Sequence, residues 1–272
     1  MNTPSAPVMP DFNRMAASFD RYLPQVHPVT LALLDHLPAL AAGAEVLDVA
    51  CGTGEPGLTL ARRSPDVHVL GVDSAPAMIE VARSKVAGEA LGNARFEVMS
   101  SEALALGDES VDAVISRFGV MMFGDVRASA RELARVLRRG GHFSLAVWDD
   151  MTRNTLVYSL TMVLAKHLPE GHVSPLHRLN EWAGDGLRAR LLEHVGLAAV
   201  RSEMFDWMYT FNSFEEPWDL VHRMGMITGQ ANLSPEAQEQ VKADLLEALS
   251  IYRQPSGGYQ IPHACRLIWG RR

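Results

Sequence analysis

Cysteine is almost missing. Only Cys51 and Cys265 occur in 272 residues, far apart in the chain, which excludes a disulfide framework and a cysteine-based metal cluster. Basic blocks are missing too. There are 25 Lys and Arg against 32 Asp and Glu, for a formal net charge of −7. Nucleic-acid binding needs a basic footprint, so no such partner is expected. No apolar stretch is long enough to span a bilayer, and Met1 to Pro10 lacks the apolar centre of a signal peptide. The expected setting is a reducing cytoplasm, with no membrane partner. Repeats and low-complexity tracts are absent. What remains is a chain whose residues are 47% apolar, enough for the core of one large domain or a domain with a cap.

The most informative stretch is Glu45 to Gly57. Val46, Leu47 and Val49 make a short apolar run of the kind that forms a buried strand. Gly52 and Gly54 follow, and a helical pattern starts at Leu58. Strand, glycine turn and helix start together let a ligand approach bare backbone. A second strand, Val67 to Val72, ends in Asp73, where an acid can accept hydrogen bonds from both hydroxyls of a ribose. The pattern predicts a nucleoside-binding α/β domain.

Two ligand classes fit. Gly52, Gly54 and Gly57 match G-x-G-x-x-G, which suggests a dinucleotide and an NAD-dependent oxidoreductase. Two details favour S-adenosylmethionine (SAM). A carboxylate at Asp48 would repel a diphosphate but suits the cationic methionine end of SAM. Pro56 lacks the N–H that phosphate binding at a helix start would use.

The run Val46-Leu47-Asp48-Val49-Ala50-Cys51-Gly52-Thr53-Gly54 resembles the first motif of class I SAM-dependent methyltransferases, and within them the ubiquinone/menaquinone-biosynthesis type and its small-molecule relatives. Gly71 to Ser74, Val111 to Phe123 and Arg135 to Gly141 match in the same order with suitable gaps. The match is good over residues 10–150 and loose over the C-terminal third. It implies an α/β fold: a Rossmann-like seven-stranded sheet with an antiparallel last strand, helices on both faces and helical cap insertions. It also implies lid helices over 1–40, a SAM-binding core over 41–150, and cap helices with the final strands over 151–272. The cofactor set it implies is Asp48, Ala50, Gly52, Thr53, Gly54, Asp73, Ser74, Met78, Ser100, Ser101, Glu102, Ser116 and Phe118. Ser100 is a departure, because the family usually carries an acid there to read the adenine.

Local patterns place further elements. Phe12, Met15, Ala16, Phe19 and Leu23 recur at helical spacing, and a second helix is expected from Pro28 to Leu40. Ser74 is a plausible N-cap ahead of Pro76. Strands are expected at Arg95–Met99, Val111–Ser116 and His142–Trp148, with Gly140-Gly141 as the turn before the last. Helices are expected around Leu156–Leu164 and Leu187–Val195 and twice within Pro217–Leu249. Val200–Phe211 and Ala264–Gly270 complete the sheet.

Methyl transfer needs alignment of nucleophile and methyl more than a nucleophilic residue, and an acceptor proton sometimes needs a base. Among the histidines weighed, His27 lies near the lid and His142 starts a strand, a packing position. His167, His172 and His177 fall in a Pro/Gly-rich turn expected to be exposed. His222 shares a helix face with Trp218 and Met226, which makes it a candidate base. Arg117 ends an apolar strand where ligands of open sheets bind, so it needs an anionic or carbonyl partner. The cofactor carboxylate, an acceptor oxygen, or a structural pair with Asp125 or Asp149 would each serve. Asp149 and Asp150 alone do not make a metal site. The aromatic and Met-rich C-terminal third suits a pocket for a small, flat, apolar substrate, with oxygen or nitrogen favoured as acceptor atom. A SAM-binding accessory protein without turnover is the non-enzymatic alternative, and self-association is left open.

Overall fold

A computed structural model describes residues 11–167, 193–223 and 233–272. Its frame is a seven-stranded sheet in the order β3-β2-β1-β4-β5-β7-β6. The strands are β1 (Glu45–Val49), β2 (His68–Asp73), β3 (Ala94–Val98), β4 (Val111–Arg117), β5 (Leu137–Trp148), β6 (Ala198–Phe211) and β7 (Tyr259–Arg271). β1 is flanked by parallel partners: Val46 pairs with Val69 of β2 and with Ala113 of β4. Both its faces are covered, so Val46, Leu47 and Val49 are all fully buried, as expected of a central parallel strand. Replacing Leu47 by Ala would cost about 2–5 kcal/mol in lost burial and cavity. β7 runs antiparallel to both β5 and β6, as the resemblance implies.

Several boundaries differ from expectation; β7, for one, starts at Tyr259 instead of Ala264. β5 starts at Leu137, ahead of Gly140 and Gly141, which were expected to form a turn. The chain end explains it: Gly140 N–H donates to the Arg272 carbonyl and Arg272 N–H to the Gly141 carbonyl, so backbone pairing carries the strand through both glycines. The second helix covers Leu23–Asp35 instead of Pro28–Leu40. Pro24 sits in its first turn and Pro28 lies inside it. Pro28 removes only the one N–H bond that would reach back a turn, while Val26, Val29 and Leu33 bury the apolar face.

The helices are α1 (Phe12–Phe19), α2 (Leu23–Asp35), α3 (Gly57–Arg63), α4 (Pro76–Glu89), α5 (Val126–Val136), α6 (Thr155–Leu164), α7 (Glu215–Arg223) and α8 (Pro235–Leu249). α2 lies across the C-terminal half of the sheet. Ser144 Oγ donates to the Leu33 carbonyl at 2.7 Å, Trp207 Nε1 donates to the Gln25 carbonyl at 2.7 Å, and Trp269 stacks on His36. α6 follows β5, and α7 and α8 separate β6 from β7. The buried stripe Val241, Leu245, Leu249 of α8 and Leu156, Leu160, Val163, Leu164 of α6 belong to the same core as the sheet. No described helix is long and apolar enough to cross a membrane. Leu187, Leu191, His172, His177 and Met226 lie outside the described residues.

Candidate cofactor site

Between β1 and α3 the backbone turns through Ala50, Gly52 and Gly54 at φ +55°, +54° and +108°. Glycine adopts such angles freely, whereas Ala50 does so under strain of order 1–3 kcal/mol. Gly57 has a different reason to be glycine. Its N–H donates to Asp48 Oδ2 at 2.8 Å, and a Cβ there would lie 2.9 Å from the same oxygen. Its place in the dinucleotide fingerprint is thus explained by the buried carboxylate beneath it.

Asp48 is fully buried, and its second oxygen, Oδ1, has no partner among the described residues. Burial pushes its carboxyl up to about 8, against the pull of the Gly57 N–H and the Arg117 charge. Asp48 pairs with Ile115 across the β1–β4 ladder, and Arg117 follows two residues later, on the same face of the sheet. Arg117 is also buried. Its Nη1 donates to Thr30 Oγ1 of α2, and it makes no ion pair among the described residues. Burial lowers its affinity for its proton, opposed by Tyr22, Glu55, Asp48 and Tyr209. The expected structural pair is not formed. Asp149 instead meets Arg266 at 3.2 Å, and Asp125 caps α5 through the Ala128 N–H. Among the described residues the site therefore holds a buried carboxyl with a bare oxygen and a buried cation without a carboxylate.

Asp73 lies at the end of β2. Its Oδ2 accepts from Gly52 N–H and its Oδ1 from Ala75 N–H, both at 2.9 Å. It ties the glycine loop to the start of α4, while each oxygen keeps a lone pair for a further donor. Burial raises its pKa and these N–H bonds oppose the rise. Ser74 is not the N-cap of α4. Ala75 holds that position, and Asp73 together with Asn13 of α1, whose Oδ1 accepts from Ala77 N–H at 3.1 Å, satisfies the exposed N–H groups. Met78 is buried against α1 with Met15, Ala16 and Ala75.

A latch ties the end of α1 to the loop, and no sequence pattern points to it. Asp20 Oδ1 accepts from Thr53 Oγ1 at 2.6 Å and from Lys85 Nζ at 2.7 Å, and Lys85 also donates to the Thr53 carbonyl. A Cβ on Gly52 would lie 3.5 Å from the Phe19 ring, so α1 ends directly over the loop.

The remaining expected ligand side chains are occupied by protein. Ser116 Oγ donates to the Val49 carbonyl at 2.7 Å and knits β4 to β1. Ser101 Oγ meets Ser129 Oγ, and Glu102 Oε1 accepts from Asp125 N–H at 2.7 Å, so both turn toward α5. Ser100 Oγ accepts from Glu102 N–H within its own turn. Phe118, at φ +61°, stacks on Trp148 with ring centroids 4.1 Å apart. Gly119 is fixed by crowding, since a Cβ there would fall 2.4 Å from Ala50 Cβ.

The structure does not bring His222 to this loop. It is exposed beside Trp218 in an outer groove lined also by Arg21, Asp219 and Glu239. His167 is partly buried and meets Asp244 Oδ2 at 3.2 Å, not in an open turn. Among the described residues no three His, Cys, Asp or Glu side chains converge as metal ligands.

A model of the methyltransferase domain matches residues 46–141. The ubiquinone/menaquinone biosynthesis C-methyltransferase UbiE of Geobacter sulfurreducens is 39% identical over 101 residues, 36% of this chain and 40% of that protein. This chain thus spans about two-fifths of that relative's length. The UbiE of Syntrophotalea carbinolica is 31% identical over 171 residues, 62% of this chain and 68% of the relative. Among solved structures, YcgJ of Bacillus subtilis superposes with a TM-score of 0.62 at 23% identity, covering 90% of this chain and 99% of that one, a likeness of fold. With the glycine loop, Asp48 and Asp73 in place at the head of this sheet, the chain belongs to the class I SAM-dependent methyltransferases of the ubiquinone/menaquinone-biosynthesis type.

Proposed function

We propose that this chain transfers the methyl group of SAM to a small, aromatic or apolar metabolite, at oxygen or nitrogen. One observation carries the cofactor assignment: the unpartnered Asp48 Oδ1 and the carboxylate-free Arg117 on one face of the sheet. A buried carboxyl with a bare oxygen and a buried guanidinium suit a zwitterion, whose ammonium draws the carboxyl into its ionised form and whose carboxylate pairs the cation. The α-amino acid end of SAM is such a group, with Asp48 toward the ammonium and Arg117 toward the carboxylate. The strained loop with its glycines leaves backbone open to a nucleoside, and Asp73 retains lone pairs for ribose hydroxyls.

SAM supplies a sulfonium methyl with a neutral thioether as leaving group. The chain's task is then alignment. Asp48 and Arg117 hold the amino acid end, Asp73 fixes the loop and the sugar, and the Asp20–Thr53–Lys85 latch keeps α1 over the loop and limits water. The two free, buried cysteines accord with a reducing cytoplasm.

Calorimetric titration with SAM and S-adenosylhomocysteine tests the cofactor; no binding of either would end this reading. Screening phenols, quinones and amines with methyl-labelled SAM tests turnover. Cofactor binding with no transfer across the panel would favour the accessory-protein alternative.

A further inference from the structure

One polar residue interrupts the buried face of α2. Val26, Val29, Thr30 and Leu33 follow the spacing of an inward helix stripe, and all four are fully buried. A hydroxyl in such a stripe needs a partner. Thr30 Oγ1 has one in the sheet, where it accepts from Arg117 Nη1.

The helix is pinned on both sides of this threonine. Before it, the Gln25 carbonyl accepts from Trp207 Nε1 of β6; after it, the Leu33 carbonyl accepts from Ser144 Oγ of β5, each at 2.7 Å. Thr30 is also β-branched, so few rotamers are open to it within a helix. Its hydroxyl therefore stands at a fixed place beside the end of β4.

What it fixes is one corner of a planar group. A guanidinium offers a carboxylate a side-on fork made of Nε and Nη2. This chain uses that fork elsewhere. Arg62 holds Glu89 and Arg135 holds Glu132 through Nε and Nη2, at 2.6 to 2.8 Å. In both, Nη1 is tied to a different acceptor, Glu55 for Arg62 and the Leu106 carbonyl for Arg135. Arg117 has the same tie at Nη1, to Thr30. Its Nε and Nη2 donate to no described residue and, unlike Asp48 Oδ1, are not sealed in. The arrangement lacks only the carboxylate.

Resting on the methyltransferase reading, we infer that Thr30 is a positioning residue: it holds Nη1 of Arg117 so that Nε and Nη2 face the carboxylate at the amino acid end of SAM. Thr30 acts only through Arg117. Without its hydroxyl the guanidinium keeps its charge but loses the tie that turns the fork toward the ligand.

Calorimetry on the full chain tests this with two ligands, S-adenosylhomocysteine and 5′-methylthioadenosine. The second is a nucleoside thioether without the amino acid end. Thr30→Val removes the hydroxyl at nearly constant shape and should weaken S-adenosylhomocysteine about three- to tenfold, the worth of one hydrogen bond. It should leave 5′-methylthioadenosine affinity unchanged. Thr30→Ser, which keeps the hydroxyl, should restore S-adenosylhomocysteine affinity. In an Arg117→Met background Thr30→Val should cost nothing further, since the group it positions is gone. If Thr30→Val does not fold, Thr30→Ala removes the same hydroxyl without added bulk and takes its place. A loss shared equally by both ligands, a loss that persists beside Arg117→Met, or a failure of serine to rescue would make Thr30 a packing residue and overturn the inference. If the wild type binds S-adenosylhomocysteine and the hydroxyl makes no difference, this inference fails alone. If the wild type binds no S-adenosylhomocysteine, the methyltransferase reading fails and takes the inference with it.

Discussion

On the proposed cofactor reading, the buried carboxyl of Asp48 makes cofactor binding a proton-release reaction. Its pKa stands at about 8 in the ligand-free protein, so below pH 8 Asp48 carries a proton. A ligand ammonium beside Oδ1 favours the carboxylate and returns its pKa toward the ordinary value near 4. Binding at pH 6 to 7 then expels close to one proton, and affinity rises with pH up to 8. Between pH 6 and pH 8 the gain is about 50-fold, or ~2.3 kcal/mol at about 1.4 kcal/mol per tenfold. Above pH 8 Asp48 is already ionised in the ligand-free protein and the gain ends. Ligand-free stability carries the opposite sign. Between the unfolded pKa near 4 and the folded pKa, the native state binds the extra proton, so this group lowers stability as pH rises. The assay is calorimetry with S-adenosylhomocysteine in buffers of different ionisation enthalpy, on the wild type and on Asp48→Asn. The asparagine can still accept from Gly57 N–H but has no proton to release. An affinity flat from pH 6 to 8, or a proton release that persists in Asp48→Asn, would refute the reasoning.

Arg117→Met should fold but lose about 10- to 100-fold in S-adenosylhomocysteine affinity, the worth of a charge-assisted bond, and Arg117→Lys should recover only part, since an ammonium lacks the fork; unaltered affinity and turnover would leave Arg117 a packing role beside Thr30. Lys85→Met opens the latch at Asp20 and Thr53 and should speed dissociation of S-adenosylhomocysteine about three- to tenfold in stopped flow, while an unchanged off-rate would count against a closing role for α1. His263 stacks on Tyr209 at 3.6 Å, donates from Nδ1 to the Ile261 carbonyl, and has its pKa lowered to about 4 by burial. The unfolded chain therefore takes up the proton first, so stability is full above pH 6.5 and falls by about 3 kcal/mol on descent to pH 4; His263→Leu should flatten that part of the urea-unfolding profile, and an equally steep acid slope in the variant would assign it to other groups.

The sheet was legible because its signals are local. Val46, Leu47 and Val49 announce a central strand, and Gly52 and Gly54 announce the turn after it. Asp73 was legible for position, since it closes a strand with an acid. Its partners were not: nothing in the sequence says that its oxygens hold Gly52 and Ala75. Ser101, Glu102 and Ser116 were assigned by alignment to a family pattern, but side-chain direction depends on α5 and β1, which lie far off in sequence. Arg117 was recognised as out of place in an apolar strand, but its partner, Thr30, is 87 residues away. Asp20 and Lys85 carry no sequence signal, because an acid at a helix C-cap and a lysine within a helix are both ordinary. His222 was chosen for its helix face, and that face turns to the outer groove.

The cap that Asn13 places on Ala77 gives α1 a second hold on the molecule. Swinging α1 off the loop would uncap the first turn of α4, the turn that follows Asp73. If α1 opens to exchange the proposed cofactor, that exchange would be coupled to fraying of the first turn of α4. The Ala77 amide becomes a built-in reporter: its hydrogen exchange measures how often the lid stands open, with no label and no ligand required.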